Sequence, residues 1–308
     1  MKKTAFAAVM AAVIVIIAAV AYIFHENYGG EQTWRYVFEL SGGEAEYNVA
    51  RVPSFYSSEN IRGYFYATKD AARFITADGK EKFNYAYDMT SPVLKGDGGV
   101  CAVAERRGKV VIVFNEDGIM YEVASEEPIL FFTVSEGGQV CIITQSGNDY
   151  ETKVYTSSGT LIQKIKDPSG DVFPALCGIS SDGRIIATVY YDISGAKLKS
   201  TIKFFYLNKS ESLDYPTGFF AVNSDYIGEM VYAVKFLEGN RLAVISDETV
   251  SLIEPEAKCE KQLICETPSG LSAAGFSEKL IAIFQQKGNQ LEVYNSKGEF
   301  LWAKEYST

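Results

Sequence analysis

The side chains that most often carry enzymatic chemistry are scarce in this chain. His25 is the single histidine among 308 residues, and it follows directly after an apolar N-terminal segment. Ser-His-Asp triads and imidazole metal clusters both need imidazole groups inside the folded site. We therefore predict neither histidine-based catalysis nor a histidine metal site.

The five cysteines form no pattern that binds metal or pairs into disulfides. No Cys-x-x-Cys motif is present, so a zinc site is not expected. Cys101 and Cys141 hold the same place in successive repeats, which is typical of small buried side chains. Cys259 and Cys265 would lie about 20 Å apart along a strand, too far for a direct bond. We predict no catalytic residue, no metal and no cofactor.

Carboxylates are the one plentiful group that could catalyse a reaction. The chain has 39 acidic residues, and a glycosidase needs only two carboxyl groups, about 5 to 10 Å apart. Adjacent acids such as Glu116-Asp117 and Glu126-Glu127 fall in turns, where a solvated role is the simpler interpretation. A hydrolase that uses paired carboxylates nevertheless stays open as the alternative function.

A repeating unit of about forty residues must position whatever site exists. Each copy contains an apolar strand that follows a polar turn; these strands open at Val100, Val140, Ile185, Leu242 and Leu280. One copy cannot bury its own faces, so regular copies predict a stacked or circular array.

A second marker in the repeat is a polar turn that ends in glycine. Glycine adopts the positive φ that tight hairpins demand, and a preceding Asp or Asn stabilises the turn. The predicted repeat turns contain Gly79, Gly118, Gly159, Gly183 and Gly298.

The number of strands within one repeat predicts the fold. Residues 92–124 contain four short antiparallel strands, the size of one propeller blade. We predict an all-β chain, a β-propeller of about six to seven four-stranded blades, rather than a β-solenoid or two sandwiches. The predicted blades are 51–88, 92–124, 129–166, 175–215, 230–266 and 271–306. Either residues 34–40 close the ring as an extra strand, or the natural protein continues beyond Thr308 and the ring is incomplete here.

The long interval between Ile185 and Leu242 predicts an insertion, placed at residues 210–228. Functional surfaces of repeat folds often lie in such lengthened loops. The insertion supplies a candidate binding surface of four aromatic side chains, Tyr215, Phe219, Phe220 and Tyr226. The alternative is that these rings pack the insertion onto its own blade.

An N-terminal segment is long enough to cross a membrane. The residues from Ala5 to Phe24 contain no charge, Pro or Gly, and as a helix they would span about 30 Å. Lys2 and Lys3 precede the segment, which places the N-terminus in the cytoplasm. The predicted domains are a tip (1–4), a transmembrane signal anchor (5–24), a linker (25–33) and an extracytoplasmic propeller (34–308). A cleaved signal peptide is the alternative, because Ala19-Val20-Ala21 has the small-x-small pattern.

The formal charge of −10 argues against nucleic acid as a partner. Phosphate binding needs clustered basic residues, and Arg106-Arg107 is the only adjacent arginine pair in the sequence.

The chain resembles DUF5711, a family of single-pass membrane proteins of clostridia and related Firmicutes. The resemblance rests on the anchor and on the segments 77–81, 87–92, 111–118 and 180–187. It implies a WD40-like or quinoprotein-like propeller and no known activity. The segment 298–302 also resembles the blade ending of quinoprotein propellers, but most copies lack its Trp.

The leading hypothesis is a non-catalytic, membrane-anchored binding or scaffold module in the cell envelope. Its expected partner is a protein or a cell-wall glycan.

Overall fold

The computed structural model describes residues 54–56, 61–207, 218–266, 271–277, 279–285 and 289–306. The predicted anchor between Ala5 and Phe24, residues 34–40, and Tyr215 lie outside these ranges. Within them, no helix has the length and apolar character needed to cross a bilayer.

The described residues form six antiparallel sheets of four strands each, in chain order. Sheet 1 contains β1 (Ser54–Tyr56), β2 (Gly63–Ala67), β3 (Ala71–Thr76) and β4 (Glu81–Ala86). Sheet 2 contains β5 (Pro92–Asp97), β6 (Val100–Glu105), β7 (Val110–Asn115) and β8 (Gly118–Ala124). Sheet 3 contains β9 (Ile129–Val134), β10 (Val140–Ser146), β11 (Asp149–Tyr155) and β12 (Leu161–Pro168). Sheet 4 contains β13 (Val172–Ile179), β14 (Ile185–Asp192), β15 (Lys199–Tyr206) and β16 (Phe219–Ile227). Sheet 5 contains β17 (Val231–Leu237), β18 (Arg241–Ser246), β19 (Thr249–Ile253) and β20 (Gln262–Glu266). Sheet 6 contains β21 (Leu271–Phe276), β22 (Leu280–Gln285), β23 (Gln290–Asn295) and β24 (Phe300–Glu305).

The predicted four-strand unit is confirmed, with one correction in sheet 4. The apolar strands that marked the repeat are the second strands of sheets 2 to 6. The fourth unit ends at Ile227 rather than near Tyr215, because the second half of the predicted insertion is β16. The lengthened connection therefore runs only from Leu207 to Gly218.

Apolar clusters hold each sheet against the next one. Separate clusters join sheets 1 and 2, 2 and 3, 3 and 4, 4 and 5, and 5 and 6. The second strand of each inner sheet contributes to two clusters: Cys101 and Val103 face sheet 1, while Ala102 faces sheet 3. Strands that are buried on both faces need apolar side chains at every position. This explains why the second strands are the most visible sequence signal.

The first strands of sheets 1 to 5 pack side by side, and the fourth strands lie at the exposed rim. The contact between β1 and β5 requires a glycine, because a side chain at Gly96 would overlap the Tyr56 ring. The packing is consistent with a propeller whose axis runs between the first strands.

Antiparallel strands give every sheet two ends. We name the end with the loops between strands 1 and 2 and between strands 3 and 4 the turn face. The other end, with the loops between strands 2 and 3 and the links from sheet to sheet, is the connection face. All five predicted turn glycines lie on the turn face, each with a positive φ between 70° and 130°.

Candidate functional site

Phe219 and Phe220 pack within sheet 4 and do not form a separate surface. The Phe219 ring lies 5.7 Å from the Phe205 ring, and the Phe220 ring stacks 4.0 Å from that of Tyr206. The register of β15 and β16 leaves Phe220 as the extra residue of a β-bulge. The fourth strand of every sheet carries a bulge at this point, at Lys82, Met120, Ile162, Phe220, Ile264 and Leu301. Phe220 thus occupies a position of the repeat.

Tyr226 lies inside the contact between sheets 4 and 5, so its placement on a binding surface is corrected. Its side chain is fully buried, and its hydroxyl is 2.7 Å from the Ser251 hydroxyl. The Lys261 ammonium lies 4.4 Å above the Tyr226 ring. A ligand in solution cannot reach this ring without separating two sheets.

The cysteines at the repeated position lie in the core. Cys101 and Cys141 are completely buried, and burial raises the pKa of both thiols. The described residues contain no group of three His, Cys, Asp or Glu that could hold a metal ion. Burial raises the pKa of the Asp167 carboxyl group, although the Tyr190 hydroxyl and Lys203 oppose the rise. No second carboxyl group contributes to this shift.

A cleft on the connection face is the strongest candidate for a ligand site in the described chain. It lies between β5 and β9, the first strands of sheets 2 and 3, and has a volume of about 360 Å³. Its lining combines positive charge, one acid and apolar side chains: Lys95, Glu105, Arg106, Arg107, Val93, Ile129, Leu130, Phe131 and Phe132.

Lys95 is the centre of this cleft. Its Nζ lies 3.4 Å from the centre of the Phe131 ring and 5.4 Å from that of Phe132. Burial lowers the pKa of Lys95 from 10.5 to about 8, and the nearby Cys177 and Cys141 side chains oppose the shift. Within the described residues no carboxylate acts on this ammonium. The group is a partly buried cation held by the faces of two rings.

The two arginines form the rim of the cleft. Arg106 and Arg107 occupy the turn between β6 and β7, and both side chains are exposed. Arg107 has a φ of 58°, an uncommon conformation for a residue with a side chain. The Glu105 carboxylate is already hydrogen-bonded within the protein, because its Oε1 accepts a 2.9 Å hydrogen bond from the Ser91 backbone N–H.

A bulge in β9 shapes the opposite wall. Ile129 pairs with Thr144 and Phe131 with Ile143, so Leu130 is an extra residue. A bulge reorients the side chains beside it: Phe132 enters the cluster between sheets 2 and 3, while Phe131 packs toward sheet 4. β5 has no bulge. The cleft thus lies between a regular first strand and a bulged one.

The same bulge recurs in the next first strands, and at Leu130 and Tyr232 the extra residue exposes an apolar side chain. The extra residues are Leu130, Ala175, Tyr232 and Ser272. Around sheets 3 to 5, six large apolar side chains are exposed on the connection face: Leu130, Val172, Ile193, Ile227, Met230 and Tyr232. We name this set the apolar row. Large apolar side chains that neighbouring sheets expose on the same face can serve an interaction.

Sequence reasoning missed both features. The Arg106-Arg107 pair was used only as evidence against nucleic acid binding, and Lys95 fell within the four short strands predicted for residues 92–124 without being named as a site residue. The available signal was a charged residue in the first strand of sheet 2, at a place where the other first strands carry apolar residues. A bulge cannot be located by alternation in a strand such as β9, whose first four residues are all apolar.

Comparison with solved structures shows a shared fold. A chain of hydrazine synthase from Kuenenia stuttgartiensis is 12% identical, with a TM-score of 0.56 over 84% of this chain and 81% of that one. A chain of the complex of KlAtg21 with the coiled coil of AgAtg16 is 11% identical, with a TM-score of 0.59 over 80% and 83%. The WD40 domain of Neurospora crassa Pan2 is 14% identical, with a TM-score of 0.51 over 79% and 74%. At these identities the likeness concerns the fold alone, which is propeller-like.

No match was found among curated proteins. The model of a family of unknown function, DUF5711, matches residues 56–308.

Proposed function

The chain belongs to the DUF5711 family of unknown function, and from that premise we propose that it is a non-catalytic binding module of the cell envelope. An N-terminal signal anchor would hold it in the cytoplasmic membrane, with the propeller-like domain outside. The connection face is the binding surface, and a protein is the partner.

The observation that carries the proposal is the apolar row. Three members of the row lie at strand ends of sheet 4 on the same face: Val172, Ile193 and Ile227. Val172 pairs with Asp192, and Ile227 pairs with Lys199. Met230 and Tyr232 continue the row into sheet 5. Burying such side chains releases about 25 cal/mol per Å² of apolar surface. Five of the six are aliphatic or thioether groups, which favours an apolar protein surface over a glycan.

The carboxylate hydrolase has less support. That alternative needs two coupled carboxyl groups, whereas the Asp167 carboxyl group, whose pKa is raised, accepts a 3.0 Å hydrogen bond from the Tyr190 hydroxyl. No second function is proposed.

Site-specific photo-cross-linking in the native envelope tests the binding surface. A photoreactive amino acid replaces Ile193 or Ile227, which are 54% and 68% exposed. Matched controls replace Leu161 or Phe300, which are 47% and 57% exposed but lie on the turn face. We expect a discrete protein adduct from the first pair only. Equal adducts from both faces, no adduct, or a protease-resistant glycan adduct would contradict the proposal.

Protease treatment of intact cells tests the location. The full chain carries a C-terminal tag, and we expect external protease to remove the tag while the segment 1–24 keeps the chain in the membrane fraction. Protection of the tag in intact cells, with cleavage only after lysis, would place the domain in the cytoplasm and refute this part of the proposal.

A further inference from the structure

The cleft between β5 and β9 holds an ammonium that lacks an acid partner. The charged amine of Lys95 is partly removed from water and is held by Phe131 and Phe132, with no carboxylate acting on it in the described residues. A buried cation is costly unless an anion compensates it. An anion that enters the cleft would therefore gain more from Lys95 than from a lysine in bulk water.

Lys203 shows the ordinary solution to the same problem. Its Nζ lies 4.0 Å above the Tyr190 ring, but here Asp167 is close enough to interact with the lysine charge. The two lysines share the aromatic contact and differ in the acid. Lys95 instead faces an open cleft of about 360 Å³.

The rim of the cleft is suited to the same kind of ligand. The exposed guanidinium groups of Arg106 and Arg107 present planar pairs of N–H donors, which match an oxyanion. With Glu105 as the only acid in the lining, the formal charge of the lining is positive in a chain whose net charge is −10. Ile129, Leu130 and Phe132 provide apolar contact for the body of the ligand.

We infer that this cleft binds an oxyanion attached to an apolar body, with the Lys95 ammonium as its counter-ion and the two arginines as additional donors. The inference rests on the proposed function and deepens it: Leu130 belongs to both the cleft and the apolar row, so a protein partner would place an acidic side chain or its C-terminal carboxylate here. A phosphate group shares the chemistry and is distinguished by the test.

The test measures binding of small probes to the full chain in nanodiscs at pH 7 by calorimetry and by the thermal midpoint. The probes are benzoate, phenyl phosphate and neutral benzamide. We expect benzoate to bind and raise the midpoint, as any ligand of the native state does, and benzamide to have no effect. Stronger binding of phenyl phosphate than of benzoate would assign the site to a phosphate and overturn the peptide carboxylate as its source.

Three variants separate the site from unspecific effects. Lys95→Met keeps the length of the side chain and should weaken benzoate binding about tenfold or more. The double change Arg106→Gln and Arg107→Gln alters only exposed side chains, cannot prevent folding, and should weaken binding severalfold. Lys203→Met is the matched control and should bind like the wild type. Equal binding of benzamide and benzoate, or unchanged binding by both cleft variants, would overturn the inference.

The outcome is independent of the cross-linking experiment. Adducts from the apolar row without benzoate binding would leave the proposed function standing and refute the anion site. Benzoate binding without adducts would support the anion site and refute the apolar row as the binding surface.

Discussion

At the scale of single residues, Glu229 shows how a charge is tolerated between two sheets. Its Oε1 accepts a 2.6 Å hydrogen bond from the Lys261 ammonium, and its Oε2 accepts bonds from the hydroxyls of Ser246 and Thr249 at 2.5 and 2.7 Å. Burial opposes the charge of Glu229, but these donors outweigh it and lower its pKa. The carboxylate is therefore fully paired although the residue is only 8% exposed.

Glu229→Gln tests this pairing. Glutamine keeps the shape but leaves Lys261 without a counter-ion, so we expect a loss of about 2 kcal/mol in the free energy of unfolding. A lowered pKa stabilises the fold above the ordinary Glu value of 4.5 and loses that contribution as the pH falls. The advantage of the wild type over the variant should thus shrink below pH 4.5. Urea unfolding across pH gives both quantities.

Asp117→Asn is the control for this change. Asp117 forms a 2.8 Å ion pair with Lys82, but its side chain is 75% exposed. Exposed pairs contribute little, so the change should stay within about 0.5 kcal/mol. Similar losses for the two variants would show that Glu229 gains nothing from its buried partners.

At the scale of elements, sheets 1, 2, 3 and 6 each end in a tight turn followed by a bulged fourth strand. The turn at Gly159 closes with a 3.0 Å hydrogen bond from its N–H to the Thr156 carbonyl, and Gly159 has a φ of 81°. A Cβ atom at this residue would lie 3.0 Å from the Tyr121 ring of the neighbouring sheet. The turn therefore needs glycine both for the backbone conformation and for the contact between sheets.

Gly159→Ala should lower the free energy of unfolding by about 1 to 2 kcal/mol, the cost of the left-handed conformation for a residue with a Cβ atom. Gly170→Ala is the matched control, because Gly170 has open space around it and no positive φ. We expect no loss there. Chemical denaturation measures the free energy of unfolding of both variants. Equal losses would refute the role of the turn conformation.

The four-strand unit could be read from the sequence because its signals are local. Glycine turns and double-buried second strands each leave a pattern within ten residues. β16 was misassigned because the connection before it is long, and the distance along the chain was interpreted as an insertion. Its identity depends on hydrogen bonds to β15, between residues such as Phe204 and Ala221. Pairing of this kind is non-local, so no short window of sequence contains it.

At the scale of the whole molecule, one ion pair connects sheets that are distant along the chain. Lys235 of β17 and Asp97 of β5 form an ion pair between the first strands of sheets 5 and 2. Both side chains are largely buried, at 21% and 7% exposure. Sheets 3 and 4 lie between sheets 2 and 5 in chain order. The ion pair therefore connects two first strands that are not neighbours in the array.

Lys235→Met should cost about 3 kcal/mol, because it removes one partner of a largely buried ion pair. The double change with Asp97→Asn should recover part of this loss, since both charges of the pair are then removed. Hydrogen exchange should rise in β5 as well as β17 in the single variant. Exchange that rises only in β17, or a double variant with simply additive losses, would contradict a link between the two sheets.

The sequence by itself determined the class, the unit and its length. Apolar second strands, turn glycines and a forty-residue interval are properties of short segments, and together they predict stacked four-stranded sheets. The prediction that histidine-based chemistry is absent also rests on the residue types alone. The membrane anchor and the location outside it are predictions from the first 31 residues, which lie outside the described part.

Only the tertiary structure decided which residues share a surface. Lys95, Arg106 and Phe131 belong to three elements of two sheets, and they meet because β5 is regular while β9 carries a bulge. Tyr226 of the predicted aromatic surface is buried for the same reason, since it lies against Ser251 of the next sheet. Burial and pairing depend on which faces meet across the packed sheets. The residues that meet at these faces are far apart in the sequence and come together only when the chain folds.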